Sequence, residues 1–267
     1  MDLGIEGRRA IVCGASKGLG KGCALALANE GVNVTLVART AETLESTRQE
    51  IQGLIQGRTQ GPGKTKITAV AADITTDSGR DAVMEACPAP DILVNNAGGP
   101  PPGDFRDWYQ KEWFDAVNSN MFSSIDMIRR TVDGMAERGF GRIVNITSIS
   151  VKTPMPGLGL SNGARAGLTG WVAGVAREFV RQNVTINNLL PGLFDTDRGS
   201  GYLAYRARCE GVDVDQYVER YFANSPAGRF GTCEEFGAAC AFLCSAFSGY
   251  TSGQNILLDG GEFPGTF

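Results

Sequence analysis

The chain has 267 residues, of which 42% are hydrophobic and 20% charged, a composition typical of a globular protein with a substantial core. Its net charge of −4 argues against electrostatic binding to nucleic acid, which requires a basic face. It contains no histidine, which excludes Ser-His-Asp and Cys-His nucleophilic mechanisms and imidazole-bound metals, and we predict no metal site.

The N-terminus has no basic region leading into an apolar one, and no run approaches the ~20 apolar residues of a membrane span. These features predict a cytoplasmic protein with no membrane partner. The seven cysteines include no Cys-x-x-Cys pair. Cys240 and Cys244, one helical turn apart in an apolar segment, are predicted to be buried core residues.

Residues 13–20, Cys-Gly-Ala-Ser-Lys-Gly-Leu-Gly, form a glycine loop between a predicted strand, Arg8–Val12, and a predicted helix, Lys21–Glu30. Its glycines allow a sharp bend, a close approach of backbone N–H groups to a ligand, and tight packing of helix on strand. The helix dipole then favours an anion, most often a pyrophosphate. On this loop alone, an ordinary turn and a nucleotide site remain equal alternatives.

The second predicted strand, Val32–Val37, leads into Ala38 and Arg39. NAD-binding folds place an acidic residue here for the ribose 2′-hydroxyl, whereas a basic residue accommodates the 2′-phosphate of NADP. Arg39 and Lys17 provide two cations and no carboxylate, which favours NADP(H) over NAD(H). The alternative for Arg39 is a solvated charge at a strand end.

Strand and helix patterns continue to alternate along the chain. This rhythm predicts a single α/β domain over residues 1–267, a doubly wound Rossmann-type fold with a parallel sheet of about seven strands and helices on both faces. The next predicted segments are helix Glu42–Ile55, a surface loop Gly57–Lys66, strand Ile67–Ala71, helix Ser78–Ala86 and strand Ile92–Val94.

Several motifs resemble markers of the short-chain dehydrogenase/reductase family. They are the Gly-x-x-x-Gly-x-Gly spacing of the glycine loop, Asp73 after the third strand, and Asn95-Asn96-Ala97-Gly98 after the fourth. The resemblance extends over almost the whole chain. It continues through Asn120 in a helix, the fifth strand Gly141–Ile146, the sixth strand and Pro-Gly turn Asn187–Gly192, and the last strand around Thr251–Gln254 and Asp259–Gly261.

The resemblance implies a set of cofactor-binding residues, a substrate lid over residues 194–224, and a homodimer or homotetramer whose contacts involve helices such as Phe114–Met135 and Gly167–Val180. The lid would close over a small-molecule substrate. The implied cofactor residues are Gly14, Ser16, Lys17, Gly18, Leu19 and Gly20, Arg39, Asp73 and Ile74 beside the adenine, Asn96, Ala97 and Gly98, and Pro191, Gly192 and Leu193 towards the nicotinamide.

The catalytic positions depart from the family pattern of Ser, Tyr and Lys with an assisting Asn. Ser148 and Asn120 match, but the position thirteen residues after Ser148 is Ser161, and the position four further is Arg165. A serine hydroxyl lacks the acidity of a phenol, and arginine stays protonated and relays no proton. Ser148, Asn120, Ser161 and Arg165 are therefore the candidate catalytic residues of an atypical site.

Three hypotheses follow. The first is an NADP(H)-dependent oxidoreductase of a carbonyl or alcohol, with the proton coming from water or from another residue. The second is a non-redox lyase or hydrolase using the same cleft, and the third is a catalytically silent NADP(H)-binding regulatory protein. Candidate proton donors near the substrate are Asp104, Asp195, Asp197, Tyr202 and Tyr205.

Overall fold

The computed structural model describes residues 2–55 and 65–266. Within these ranges, seven strands form one sheet in the order β3-β2-β1-β4-β5-β6-β7, and every neighbouring pair is parallel. The predicted doubly wound α/β fold is confirmed. Of the predicted loop Gly57–Lys66, residues 57–64 lie outside the described ranges. The strands are β1 Arg9–Cys13, β2 Asn33–Ala38, β3 Ile67–Ala71, β4 Ile92–Asn95, β5 Gly141–Ile146, β6 Val184–Pro191 and β7 Asn255–Leu258.

Helices cover both faces of the sheet, as right-handed crossovers between parallel strands require. The helices in the described ranges are α1 Gly18–Asn29, α2 Ala41–Ile55, α3 Asp77–Ala86, α4 Gln110–Val117, α5 Ser123–Glu137, α6 Gly159–Val175, α7 Asp197–Glu210, α8 Val214–Asn224 and α9 Cys233–Cys244. None of these helices is long and apolar enough to cross a membrane.

The central strands are apolar along almost their whole length because both of their faces are covered. One core cluster lies between the sheet and α1, α2 and α9, and a second lies between the sheet and α3, α5 and α6. Helices α1 and α9 pack closely at Gly22 and Gly237, where an added Cβ would overlap the backbone of the other helix. Cys240 and Cys244 are fully buried in the first cluster, as predicted.

Strands β1 and β4 are neighbours at the centre of the sheet, where the strand order reverses. From β1 the chain proceeds to β2 on one side, and from β4 it proceeds to β5 on the other side. At such a switch point the connections leave in opposite directions and open a crevice at the carboxyl ends of the strands. The segment 194–224 forms α7 and α8 over this crevice. A third, smaller cluster, including Leu158, Tyr202 and Tyr217, attaches these two helices to the main body.

Three predicted elements differ most from the structure, and most other predicted bounds shift by one to three residues. The last strand, β7, lies between Thr251–Gln254 and Asp259–Gly261, which form the turns around it. Helix α6 begins at Gly159 and ends at Val175, so it starts eight residues before the predicted helix Gly167–Val180. The predicted helix Phe114–Met135 is divided between α4 and α5 by a π-helical turn, Asn118–Phe122.

Candidate functional site

A cleft of about 1080 Å³ lies at the carboxyl ends of the strands, at the switch point between β1 and β4. It is bounded by the glycine loop, by the ends of β2 to β6, and by the first turn of α7. Among the predicted site residues, Gly20 and Asn120 do not line it. Those that do are Gly14, Ser16, Lys17, Gly18, Leu19, Arg39, Asp73, Ile74, Asn96, Ala97, Gly98, Ser148, Ser161, Arg165, Pro191, Gly192 and Leu193.

The glycine loop is held in shape by its backbone. Gly14 and Gly18 have φ angles of 59° and 57°, in the left-handed region that side chains disfavour. A Cβ at Gly20 would overlap the carbonyl oxygen of Gly14, so this glycine allows α1 to pack against the turn although it does not face the cleft. The Asn96 amide donates to the Gly14 carbonyl at 3.2 Å and ties the loop to the end of β4.

The N-terminus of α1 opens towards the cleft without a side-chain cap. Lys17 occupies the N-cap position but accepts no capping hydrogen bond, whereas Thr76 and Thr196 cap α3 and α7. Free N–H groups at a helix N-terminus favour an anion. A Cβ at Gly98, across the cleft, would meet no atom within 4 Å, so the backbone there is open to a ligand. The residues present fit the pyrophosphate and ribose of a dinucleotide.

At the far end of the same cleft, Arg39 and Asp73 follow β2 and β3. Arg39 is exposed and makes no ion pair within residues 2–55 and 65–266. Asp73 accepts hydrogen bonds from the Thr75 N–H at 3.0 Å and hydroxyl at 2.8 Å. Burial alone would raise the pKa of Asp73, but these bonds and the charge of Arg39 hold it below its ordinary value.

Lys17 does not pair with a carboxylate at the β2 end. Its ammonium group forms an exposed ion pair with Asp197, in the first turn of α7. This pair lowers the pKa of Asp197 below its ordinary value. The glycine loop is thereby linked to the helix predicted as a substrate lid.

Ser148, Ser161 and Arg165 line the opposite end of the cleft. Ser148 follows β5, and its oxygen accepts the Ser150 N–H at 3.1 Å. Ser161 and Arg165 lie one turn apart on α6, where the Arg165 Nε–H donates to the Ser161 oxygen at 3.2 Å. Arg165 also donates from Nη1 to the Ile146 carbonyl at 2.7 Å and from Nη2 to the Ala97 carbonyl at 3.4 Å.

These bonds leave both serine hydroxyls available as donors. Each hydroxyl oxygen already accepts one hydrogen bond, and within the described ranges neither O–H has an acceptor. Burial, and to a smaller extent the charge of Arg198, lowers the pKa of Arg165 to about 9. Arg165 therefore stays protonated at neutral pH and acts only as a donor. Both serine O–H groups therefore line the same cleft as free donors.

Asn120 lies in the π-helical turn and is only 3% exposed. Its amide donates to the Ser119 hydroxyl at 2.7 Å and to the Gly98 carbonyl at 3.5 Å, and its Oδ1 has no partner in the described part of the chain. Ser119, not Asn120, faces the cleft. The sequence predicted Asn120 in a helix, and the structure places it in a π-helical turn between α4 and α5.

The predicted proton donors separate into two groups. Asp195, Asp197 and Tyr202 line the cleft, whereas Asp104 and Tyr205 do not. The Tyr202 hydroxyl donates to the Pro156 carbonyl at 3.4 Å, and burial raises its pKa.

Sequence reasoning missed several residues that line the cleft, among them Thr196, Met155 and Leu158. Thr196 followed by Asp197 is an N-cap pattern that could have marked the start of α7. Nothing in the local sequence points Met155 and Leu158 towards a ligand.

Comparisons with known proteins agree with this geometry. A family model described as Enoyl-(Acyl carrier protein) reductase matches residues 14–262. Gluconate 5-dehydrogenase from Gluconobacter oxydans is 30% identical over 266 residues, covering 96% of this chain and 95% of the relative. The structure of L-sorbose reductase from Gluconobacter frateurii with NADPH and L-sorbose superposes with a TM-score of 0.88 at 28% identity, covering 99% of this chain and 100% of the other.

A further solved structure is named for an unusual catalytic centre. It is the NADPH-bound short chain oxidoreductase from Pseudomonas aeruginosa PAO1 "containing an atypical catalytic center". It matches with a TM-score of 0.82 and 27% identity, over 97% of this chain and 98% of the other.

Proposed function

Because the chain belongs to the short-chain dehydrogenase/reductase family, we propose that it is an NADP(H)-dependent oxidoreductase acting on the carbonyl or alcohol group of a small molecule. One observation carries the proposal: a single cleft joins an uncapped glycine loop to the two free hydroxyl donors of Ser148 and Ser161. The first feature suits a dinucleotide, and the second suits a carbonyl oxygen on which negative charge develops.

The preference for NADP(H) rests on Arg39. Its guanidinium follows β2, where the family places the group that contacts the adenosine ribose, and no carboxylate in the described residues forms a direct ion pair with it. The 2′-phosphate would supply a direct ionic partner. Solved relatives named for their NADPH complexes are consistent with this choice.

The proposed cofactor site follows the cleft from Arg39, Asp73 and Ile74 at the adenosine end, through the glycine loop, to Pro191–Leu193 at the nicotinamide end. The bound nicotinamide would supply or accept the hydride. In this account α7 and α8 form the substrate lid over that end.

The two serines are proposed to hold the substrate oxygen. During reduction the carbonyl oxygen becomes an alkoxide, and preorganised donors stabilise that charge. The O–H groups of Ser148 and Ser161 would donate to it, and the Arg165 Nε–H bond to Ser161 strengthens the second donor. Since Arg165 does not release a proton, the proton on the product hydroxyl is assigned to solvent water entering the open cleft.

Ser161 and Arg165 are proposed to occupy the places where the family carries its Tyr and Lys. Their spacing from Ser148, their position on α6 and their contact across one helical turn support this assignment. The Pseudomonas structure shows that a relative named for an atypical centre binds NADPH. The proposal therefore separates cofactor binding from the identity of the proton donor.

Two measurements test the proposed function. Titration with NADPH, followed by its fluorescence, is expected to show saturable binding, and a failure to bind would contradict the proposal. Single-turnover oxidation of bound NADPH by a panel of ketones and aldehydes then separates an oxidoreductase from a regulatory protein, which would bind without turnover. A protein that binds neither NADPH nor NADH tightly but cleaves a substrate would be the lyase or hydrolase.

The double substitution Ser161→Tyr with Arg165→Lys tests the atypical centre itself. If Ser161 and Arg165 alone limit proton transfer, the double variant is expected to reduce simple carbonyls faster than the wild type. No gain at unchanged NADPH affinity would show that the lid residues, rather than the acid, have diverged.

We also propose that the chain assembles as a homodimer or homotetramer through α4 and the π-helical turn. Three large apolar side chains are unusually exposed there: Trp113 at 40%, Phe114 at 62% and Phe122 at 48%. Exposed apolar groups of this size mark contact surfaces. Light scattering after size exclusion is expected to give at least twice the monomer mass, and Phe114→Glu is expected to reduce it.

A further inference from the structure

Two arginines at the substrate end of the cleft lack carboxylate partners. The other cations around the cleft are neutralised or lie at the adenosine end: Lys17 pairs with Asp197, and Lys21 pairs with Glu50 at 2.6 Å. By contrast, Arg165 and Arg198 bond only to neutral oxygens, as far as the described residues go. The substrate end therefore holds two uncompensated positive charges.

Arg165 is held rigidly, with part of its donor set unused. A guanidinium carries five N–H donors in a planar fork. Three donors go to Ser161, Ile146 and Ala97, so two terminal N–H groups remain. The residue is only 6% exposed, and burying a charge without an opposite charge is costly. An anion entering the cleft would remove that cost.

Arg198 reaches the same region from α7. Its Nη1 donates to the Gly99 carbonyl at 3.0 Å and to the Pro100 carbonyl at 3.2 Å. The guanidinium lies directly against the Gly99 Cα, where any Cβ would overlap it. Both guanidinium groups bond to the segment after β4, Arg165 to the Ala97 carbonyl and Arg198 to the Gly99 carbonyl. After burial, the charge of Arg198 also contributes to the lowered pKa of Arg165.

The position of Arg198 in α7 is unfavourable for the helix itself. It is the second residue after the Thr196 cap, and a cation in the first turn opposes the helix dipole. Helix stability therefore does not explain an arginine here. The contacts to Gly99 and Pro100 instead orient its fork over the cleft.

We propose that Arg165 and Arg198 together bind the carboxylate of the substrate, and that the substrate is a 2-oxo or 3-oxo acid or the corresponding hydroxy acid. Arginine forks match carboxylates in shape and charge. The substrate carboxylate and carbonyl must lie close together, because the Arg165 Nε–H donates to Ser161. A carboxylate on the remaining N–H groups of Arg165 would then lie one or two carbons from a carbonyl held by the serines. Met155, Leu158 and Tyr202 supply an apolar wall for the rest of the molecule.

This inference rests on the proposed function and balances as a reduction. A hydride adds to the carbonyl carbon of the oxo acid, the C=O electron pair becomes an alkoxide, and a solvent proton converts it to the hydroxyl. NADPH is oxidised to NADP⁺, and the carboxylate is unchanged. The competing partner of the two arginines is the cofactor, through its pyrophosphate or, at Arg165, its ribose hydroxyls, and the NADPH Kd separates cofactor binding from substrate binding.

The test compares acids with their neutral esters. The probes are 2-oxobutanoate, phenylpyruvate and acetoacetate, each beside its methyl ester, assayed with NADPH. We expect kcat/KM to favour the acid over the ester by about tenfold or more in the wild type. Arg198→Gln is expected to lower kcat/KM for the acid about 10- to 100-fold, with the ester value and the NADPH Kd essentially unchanged.

Arg208→Gln, at an exposed site on the same helix, serves as the matched control. It is expected to leave kcat/KM for acid and ester, and the NADPH Kd, at their wild-type values. Esters reduced as well as acids by the wild type, or an equal loss for acid and ester in Arg198→Gln, would overturn the proposal. A weakened NADPH Kd in Arg198→Gln would assign the arginine to the cofactor and overturn it as well.

If no probe is reduced, calorimetric titration of the NADP⁺-loaded protein with the same acids decides the matter. Saturable binding that Arg198→Gln weakens about tenfold would keep the anion site and reject the proposed redox function. An absence of saturable binding up to about 10 mM acid would reject the anion site.

Discussion

The two ends of the cleft are constructed differently. The cofactor end, comprising the glycine loop with Arg39 and Asp73, is shaped by backbone: Gly14 and Gly18 have left-handed conformations, and Gly20 has no room for a side chain. The substrate end, comprising Ser148, Ser161 and Arg165 with the apolar wall, is shaped by side chains that hydrogen bond to one another and to strand ends.

This difference explains how one end can change while the other does not. A Cβ at Gly20 would overlap the Gly14 carbonyl and displace α1 from the turn, whereas Ser161 and Arg165 sit within an unbroken helix α6. Side chains at the substrate end can therefore be exchanged within an intact fold. Cofactor binding and chemistry become separable properties, and substitutions at each end should affect one and spare the other.

The largest expected effect comes from Asp126, a buried carboxylate on α5 that supports the cofactor end. It pairs with Arg80, Arg129 and Arg130, each at 2.7 Å, and Arg80 also donates to the Ile74 carbonyl at 2.7 Å. Asp126→Asn removes the buried carboxylate that Arg80 and Arg130 share. Arg80 keeps its pair with Asp77 and Arg130 keeps its pair with Asp81, so we expect the free energy of unfolding to fall by about 3 kcal/mol, at the lower end of the range for a broken buried ion pair. NADPH affinity should fall as well, while kcat at saturating NADPH stays close to wild type.

The same cluster predicts the pH dependence of stability. Burial alone would raise the pKa of Asp126, but hydrogen bonds from Arg130 and Arg129 hold it below its ordinary value of 3.8. Its stabilisation is therefore complete above that value and is lost as the pH falls through the lowered pKa. The difference in free energy of unfolding between wild type and Asp126→Asn, measured by denaturant titration, should become smaller as the pH falls. The exposed Asp133→Asn on the same helix should unfold with the wild-type free energy, and a difference for Asp126→Asn that does not change with pH would refute the assignment.

Ser148→Ala tests the substrate end alone. Loss of one donor to a developing alkoxide lowers kcat by about 100- to 1000-fold. The NADPH Kd should not change, because the serine hydroxyl lies away from the glycine loop. Steady-state kinetics beside a fluorescence titration provide both values, with the exposed Ser200→Ala as control. A loss of NADPH affinity in step with kcat would mean that the two ends are not separable.

Arg39→Ala tests the opposite end. Removing the cation proposed for the 2′-phosphate should weaken NADPH binding by about 10- to 100-fold and leave NADH binding unaffected. The measurement is the ratio of the Kd for NADPH to the Kd for NADH. The exposed Arg181→Ala removes the same charge elsewhere and provides the matched control. An equal loss for both cofactors would place Arg39 elsewhere on the nucleotide.

The smallest expected effect comes from Asp197→Asn. This substitution removes the exposed ion pair with Lys17, which contributes little to stability. Freed from its carboxylate, Lys17 should bind the cofactor phosphates more strongly, raising NADPH affinity about threefold at low salt and less at high salt. Calorimetric titration with NADPH at two ionic strengths measures this change in affinity, and the exposed Asp107→Asn serves as the control variant. A decrease in affinity would show that the pair holds the cleft closed.

The sequence predicted the cofactor end better than the substrate end, for a physical reason. Apolar runs and the glycines at 14, 18 and 20 impose local geometry, so β1, the turn and α1 follow from neighbouring residues. Arg198 and Gly99 lie 99 positions apart, and their contact depends on how α7 folds back over the cleft. The π-helical turn that buries Asn120 likewise has no local signature.

The proposed chemistry requires hydride transfer to persist in a site where Ser161 and Arg165 stand in place of a phenol and an ammonium group. Its sharpest test uses NADPH that carries deuterium at both C4 positions with the oxo-acid and ketone panel, followed by mass spectrometry of the products. We predict deuterium on the carbinol carbon with the wild-type protein, and about 100- to 1000-fold slower incorporation with Ser148→Ala at equal NADPH occupancy. Full NADPH occupancy with no deuterium in any product of the wild type would contradict the claim and indicate a protein that binds the cofactor without using it.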